Sequence, residues 1–495
     1  MKNSFTLIGL ICVVFGAYFA QTSFTSKSEY TPSNVVPDLA MCASNPQPSI
    51  PDAKLFDPAA YNTPVVMVRR NINSFTPAQI ASLKAGINAM KALPTANPTS
   101  WTYQAAIHGS DSPSALPSWN SCEHGTEFFL SWHRMYLYFF ERILRAKSGD
   151  PSLTLPYWDY QTDGVLHAAY RDAAANNPLF DASRAPSINA GASLPPSIST
   201  DINTSLNQIP FFDFQGELEG PHGGVHVAVG GNGGNMRRID RAALDPCFWL
   251  HHTNVDRLWQ VWLSKCNQRT NPADRTWLSQ TYTFFDETGT AVNMTGDQVL
   301  KTANSLNYRY DTPVAVACNF KVDKFMYQKF TKLSLPTQIT IRNSTERVVV
   351  KDAKVENTKT ALNQAAFKFK GEDANDRVMI DLINPQLKSS PDGVIEVYVN
   401  LPKNATPTVE SNSYAGTLNL FNLTISDQKR RNAPLRVNVT QAVKKLKLKP
   451  QDLTNIELTF FVRGNKLQGK EIETKADISA ESIDIVFERP EKVIK

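Results

Sequence analysis

The segment Asp245-Pro246-Cys247-Phe248-Trp249-Leu250-His251-His252-Thr253-Asn254-Val255-Asp256-Arg257-Leu258-Trp259 sets two adjacent histidines inside a long amphipathic helix, predicted over residues 244–265. Neighbouring residues on a helix point about 100° apart, so only one of the pair is expected to reach a shared site. His252 is taken as that residue, because Asp256 lies one turn later and supports the same side of the helix. Upstream, Glu219-Gly220-Pro221-His222-Gly223-Gly224-Val225-His226 places two histidines four residues apart, on one helical face, where both reach one metal. Gly223 stands where a zinc protease would carry glutamate. Further upstream, His133 sits in the aromatic run Phe128-Phe129-Leu130-Ser131-Trp132-His133-Arg134-Met135-Tyr136, with His124 and His108 before it. Six imidazoles, with few carboxylates nearby and no four-cysteine set, favour copper over calcium or structural zinc. The remaining histidines, His167 and His251, are read as non-ligands.

All eight histidines fall between His108 and His252, so the chemistry belongs to the first part of a 495-residue chain long enough for two or three domains. The formal charge of +5 is small, and the run Lys444-Lys445-Leu446-Lys447-Leu448-Lys449 reads as a solvated face rather than a nucleic-acid site. At the N-terminus, Lys2 precedes an apolar stretch from Phe5 to Ala20 that ends in Ala17-Tyr18-Phe19-Ala20, the pattern of a cleaved secretory signal. That stretch is short for a membrane span, which needs roughly 20 residues. The expected location is therefore secreted or exported, extracellular or periplasmic, with no membrane attachment after cleavage. Of six cysteines, Cys12 leaves with the signal and five remain. An odd number in an oxidising compartment implies that one thiol is used differently. Cys122 is singled out, and Cys42, Cys247, Cys266 and Cys318 are left with three formal pairings.

Outward from the histidines, Thr76-Pro77-Ala78-Gln79 opens a helix whose apolar face runs through Ile80, Leu83, Ile87 and Met90. Another helix is predicted over about 126–145, and a further one around 222–228. Residues 182–210, rich in Ser, Pro, Asn and Ala, read as a long irregular connection. Near residue 320 the character changes. Short β-branched segments at 338–341, 347–350, 394–399, 435–439, 457–462 and 482–487 alternate with turn signals, as in an antiparallel sandwich.

These motifs together resemble the tyrosinase, catechol oxidase and haemocyanin superfamily over roughly residues 60–310. The resemblance rests on Trp132-His133-Arg134, Leu155-Pro156-Tyr157-Trp158-Asp159, and Asp245-Pro246 through Asp256-Arg257-Leu258-Trp259. It implies a mainly α catalytic domain, a four-helix bundle holding two copper ions, followed by a C-terminal antiparallel β-sandwich. It further implies His108, His124 and His133 on the first copper and His222, His226 and His252 on the second. Cys122-Glu123-His124 resembles the Cys-x-His arrangement in which sulfur and imidazole form a thioether. Glu219 matches an acidic residue that orients a water near copper, and Met236 or Ile239 would gate the second copper. Gly223 replaces the asparagine of many efficient tyrosinases, which favours diphenol oxidation over monophenol hydroxylation. The segments at 394–400, 435–439 and 483–487 look like the C-terminal domain of plant polyphenol oxidases, which covers the copper site until removed.

The expected organisation is thus a signal peptide over 1–20, a dicopper domain over 21–320, a linker over 321–355 and a shielding β domain over 356–495. The expected function is oxidation of catechols to o-quinones with reduction of O2 to water, with weaker monophenol hydroxylation, in a latent proenzyme opened by an activating protease. Phenols and O2 are the expected partners. The main alternative is a haemocyanin-like O2-binding protein without turnover, disfavoured by the single copper unit. A zinc or dimetal hydrolase would need carboxylate ligands that the spacing does not supply.

Overall fold

Helix formation in the first part follows from strong end signals. Thr76 and Gln79 form a reciprocal capping box at the start of α1 (Pro77–Lys91). The Ser100 hydroxyl accepts from the Tyr103 N–H at the start of α2 (Trp101–His108). Helix α3 (Phe129–Ser148) stops at Gly149, whose φ of 71° is the left-handed conformation that glycine adopts freely. Two more helices are α4 (Pro196–Asn207) and α5 (Phe211–Gly230), and α6 (Pro246–Ser264) begins with the Asp245 carboxylate accepting the Cys247 N–H. The computed structural model describes residue 50 and residues 52–63, 65–113, 115–313, 325–335, 338–342, 344–351, 354–356, 376–424 and 434–492. The expected signal peptide over 1–20, Cys42 and Cys318 lie outside the described residues.

Helices α2, α3, α5 and α6 carry six of the seven clustered histidines, and almost every residue of α3 and α6 facing the centre is buried. The bundle is tied by a buried ionic hub. Asp256 of α6 accepts from Arg134 of α3 at 2.5 Å, Arg69 at 3.2 Å, and the hydroxyls of Tyr308 at 2.6 Å and Tyr310 at 2.5 Å. Arg69 also bonds Glu141 at 2.8 Å, and strand β1 (Met67–Arg69) pairs in parallel with β2 (Tyr308–Tyr310). Both ends of the helical part are thereby locked to the helix that carries His251 and His252.

The C-terminal part is built from antiparallel sheets. In the five-stranded sheet, Arg377–Ile383 pairs with Leu435–Asn438 and with Ser482–Lys492, which in turn pairs with Phe325–Leu335, and Lys354–Glu356 closes the edge. A four-stranded sheet runs Tyr414–Thr417, Gly393–Val399, Ile456–Gly464 and Thr345–Val350, and a three-stranded one Gln386–Ser389, Asp477–Ala480 and Ile339–Ile341. Gly393–Val399 is buried along its whole length, as expected of a strand covered on both faces.

Three sequence expectations are corrected. The stretch 182–210 is not irregular throughout, since it holds α4, whose Ile198, Ile202 and Leu206 recur every four residues and are buried. The expected linker 321–355 supplies strands to the five-, four- and three-stranded C-terminal sheets from Phe325 onward, because pairing with Ser482–Lys492, Ile456–Phe461 and Ile478–Ala480 fixes it there. The set of four pairing cysteines also fails, since Cys247 is a free thiol at the start of α6, fully buried, while Cys266 is disulfide-bonded. Burial beside Asp245 pushes the Cys247 thiol far up, so it is an inert core residue.

Candidate dicopper centre

Each half of the bundle delivers its histidines by a different device. His108 is the last residue of α2, His124 lies in the loop before α3, and His133 is one turn inside α3. On α5, His222 and His226 share a face as the four-residue spacing predicts, and their rings stand 4.7 Å apart. The glycines and Pro221 around them leave this helix intact, and it begins eleven residues before His222.

The imidazoles are oriented from behind. The Nδ1–H of His108 donates to the Ile239 carbonyl at 3.0 Å, that of His133 to Phe129 at 2.8 Å, and that of His226 to Met236 at 2.8 Å. This fixes the tautomer that leaves Nε2 as an electron-pair donor toward the centre. Met236 and Ile239, the two gate candidates, are both buried, and here their backbone carbonyls each position one ring.

The donor atoms converge. His222, His226, His251 and His252 offer nitrogens within 4.8 Å of one another, as do His108, His133 and His252, and as do His108 and His124 with the Cys122 sulfur. His252 alone belongs to the first two sets. Its ring is stacked on His133 at 4.3 Å and 5°, and its Nε2 lies 3.3 Å from that of His226. His251, expected to point away, also enters the centre. It stacks on His222 at 5.2 Å and meets His226 edge-on at 4.8 Å, with both nitrogens lacking a hydrogen-bond partner. The 100° offset separates the pair, but α5 and α3 flank α6 on either side, so each direction meets other histidines. His167 stays outside and caps a short helix by accepting the Ala169 N–H at 3.2 Å.

Whether these residues fit copper is tested by what they lack. His108 and His133 each leave a buried Nε2 without a hydrogen-bond partner, and His222 leaves both nitrogens so. Buried polar atoms are seldom left unmatched, and a row of them pointing inward is what a metal-binding cavity requires. Burial pushes His108 and His251 down to about 3, and holds His133, His222, His226 and His252 well below the usual histidine range. The rings are therefore neutral across physiological pH, the form that binds metal. No carboxylate joins the three donor sets among the described residues, in keeping with copper and against a carboxylate-bridged hydrolase.

Glu219 lies one turn before His222 and is buried. Its carboxylate accepts the Gly125 N–H at 2.6 Å, clamping α5 to the loop that bears His124. Burial raises this carboxyl to about 8, with Glu123 adding to the rise and the Gly125 bond opposing it.

No pattern in the sequence marks the residue that fills the cluster from the far side of the chain. Phe421, in the short helical turn Leu420–Thr424, is fully buried and lies flat on His226 at 3.9 Å and 11°. It also contacts His124 and His222, both at 5.7 Å. Two residues earlier, Asn419 donates to the Glu219 carbonyl at 3.0 Å.

Comparison with known proteins agrees with this geometry. The common central domain of tyrosinase matches residues 98–209 and 188–265, and the polyphenol oxidase middle domain matches 271–320. A domain of unknown function matches 334–485. Tyrosinase HcTyr1 of Hahella sp. (strain CCB-MM4) is 34% identical over 297 residues, 49% of this chain and 62% of that protein. The chloroplastic (+)-larreatricin hydroxylase of Larrea tridentata is 28% identical over 335 residues, 56% of this chain and 57% of that protein. The chain thus spans less than two thirds of the length of these relatives. Latent apple tyrosinase has the same fold, with a TM-score of 0.58 at 22% identity, covering 88% of this chain and all of that one. With its histidines gathered in a helical bundle and the Phe421 turn laid on the same centre, the chain carries over residues 98–320 the domains of the tyrosinase and polyphenol oxidase family of type 3 dicopper proteins.

Proposed function

We propose that this protein oxidises catechol-type phenols with O2, and that its C-terminal part keeps it latent. The observation that carries both halves is Phe421, a flat aromatic ring laid on His226 among the other imidazoles. A centre that accepts a phenyl ring in that pose accepts a phenol ring there once Phe421 leaves. While Phe421 stays, no substrate enters.

His108, His124 and His133 would hold one copper and His222, His226 and His252 the other; bound copper would supply the redox chemistry with O2 that amino-acid side chains lack. The remaining work falls to the protein. Backbone carbonyls hold three rings in one tautomer, and the aromatic wall of Phe129, Trp132 and Phe248 excludes water. Glu219, buried one turn from His222, is the group placed to take a phenolic proton through a water. Gly223 offers no side chain to help hold that water, which favours diphenols over monophenols. Cys122 offers its sulfur within 4.8 Å of a His124 ring nitrogen, and a thioether between them, formed by loss of the S–H and a ring C–H hydrogen with O2 as the two-electron oxidant, would appear as the loss of two hydrogens in the intact mass.

The test is oxidation of catechol and of tyramine by copper-loaded protein, before and after limited proteolysis or a low SDS dose. Catechol turnover appearing only after treatment is expected, with tyramine slower. Copper binding without turnover of either phenol in any state would replace this reading with an O2 carrier.

A further inference from the structure

Gly223 has a role that the chemistry of phenols does not explain. A Cβ placed on it would overlap Asn419 Oδ1 and stand 2.5 Å from its Cγ and 2.9 Å from its Nδ2. The whole amide therefore rests against the bare Cα. The amide is also pinned, since Nδ2 donates to the Glu219 carbonyl at 3.0 Å, one turn back on the same helix. Glycines elsewhere on α5 differ: a Cβ on Gly216 or Gly220 meets nothing within 4 Å, one on Gly224 meets only ordinary contacts from 3.5 Å, and one on the terminal Gly230 meets Arg237 of the turn that follows rather than the C-terminal part. Position 223 is thus a notch in α5, filled by one side chain of the C-terminal part.

Asn419 and Phe421 belong to one short, braced segment. The Leu418 N–H donates to the Ile395 carbonyl at 2.9 Å, the Leu420 N–H to Leu418 at 3.1 Å, and Leu418 and Leu420 are buried. Such a segment has little freedom to move Asn419 without moving Phe421. The two side chains engage α5 three residues apart, at Gly223 and His226.

We propose that the notch at Gly223 is the seat of the stopper, so that a side chain there lifts the segment and opens the copper centre without proteolysis. Resting on the latency reading above, this makes one position control both the closed state and the surroundings of the Glu219 water. The same missing side chain that disfavours monophenols is what lets the C-terminal part close. Any tyrosinase-like gain from an asparagine at 223 would then come with loss of latency.

The experiment uses the full copper-loaded chain carrying Gly223→Ala or Gly223→Asn, with catechol rate measured before and after limited proteolysis. The expected result is a rise of about tenfold or more in the untreated-to-treated ratio, the scale by which overpacking a close contact shifts a two-state equilibrium. Gly223→Ala combined with Asn419→Gly, in which the added methyl has no amide to displace, should recover part of the latency that Gly223→Ala loses, short of the parent because the Asn419 bond to Glu219 is gone. Hydrogen exchange in the metal-free protein gives a readout independent of turnover, with the Leu418 and Leu420 amides exchanging faster in Gly223→Ala than in the parent. A parent activated by proteolysis alongside a Gly223→Ala chain that is equally latent and equally protected overturns this inference alone. A parent fully active before treatment overturns the latency reading and this inference with it. If Gly223→Ala does not fold, Asn419→Gly alone decides. Faster exchange at Leu418 and Leu420 supports the seat, and unchanged exchange overturns it.

Discussion

At the scale of single residues, the pair His251-His252 carries the ambiguity that sequence could not remove. Helical geometry separates the two side chains, but it does not say that histidines wait in both directions. His252 is the residue common to the two donor sets, and His251 joins only one. Replacing His252 with alanine should therefore lower copper content from two to one per chain or less, while His251→Ala keeps both ions. Metal analysis of the purified variants checks this, and equal losses would make His251 a ligand in its own right. Glu219 gives a second expectation at this scale. Glu219→Gln keeps the Gly125 N–H bond through its carbonyl but cannot take a proton. Catechol kcat measured above pH 8, where the parent's Glu219 carboxyl is ionised, should fall by about a hundredfold, the usual weight of a general base, at unchanged copper content.

At the scale of elements, α3 and α6 were legible because their apolar periodicity is strong, whereas α2, buried on nearly every side, has no polar face to mark it and was not predicted. The strands of the C-terminal part were also legible, from β-branched runs broken by turns, and those at 394–399 and 457–462 lie within Gly393–Val399 and Ile456–Gly464. Helix α4 was hidden by its serines and threonines, of which Ser197 and Ser205 are buried, and the first half of α5 by Gly216, Gly220 and Pro221. In both, packing overrides local propensity. What joins the elements is also invisible in a linear pattern, as Asp256 shows. Burial pushes its carboxyl up, but Arg134, Arg69 and the hydroxyls of Tyr308 and Tyr310 outweigh that and hold it below the usual range. Its contribution is therefore present above the unfolded carboxyl value and lost as pH falls through the lower folded one. Asp256→Ala leaves two buried guanidinium groups without this partner and should cost about 3–5 kcal/mol. Urea unfolding of the metal-free chain measures it, and a cost below 1 kcal/mol would mean the hub relaxes.

At the scale of the whole molecule, Phe421 and Asn419 act across two hundred residues of chain, and nothing in their local sequence announces a partner on α5. The same holds for the contact that sets how firmly the C-terminal part is seated. Asp201 of α4 accepts from the Tyr414 hydroxyl and the Thr417 hydroxyl, both at 2.8 Å and both on the strand that leads into Asn419 and Phe421. Burial raises the Asp201 carboxyl to about 7, and Glu396 and Glu217 on neighbouring elements add to the rise against the two hydroxyl bonds. Glu217, which is bonded to Asn438, is raised in the same direction by burial. A carboxyl with a raised value in the closed state binds its proton more tightly there than when the strand is undocked. The contact is then at full strength below the ordinary carboxyl range and weakens as pH rises through about 7. Latency should accordingly be tightest in mild acid and loosen toward pH 8. The ratio of untreated to proteolysed catechol activity, followed from pH 5 to 8, is expected to climb, and Asp201→Asn, which cannot ionise, should flatten the climb. Dividing by the proteolysed rate at each pH removes the titration of the copper centre itself, so a ratio that stays level in the parent would mean that the seat ignores this carboxyl.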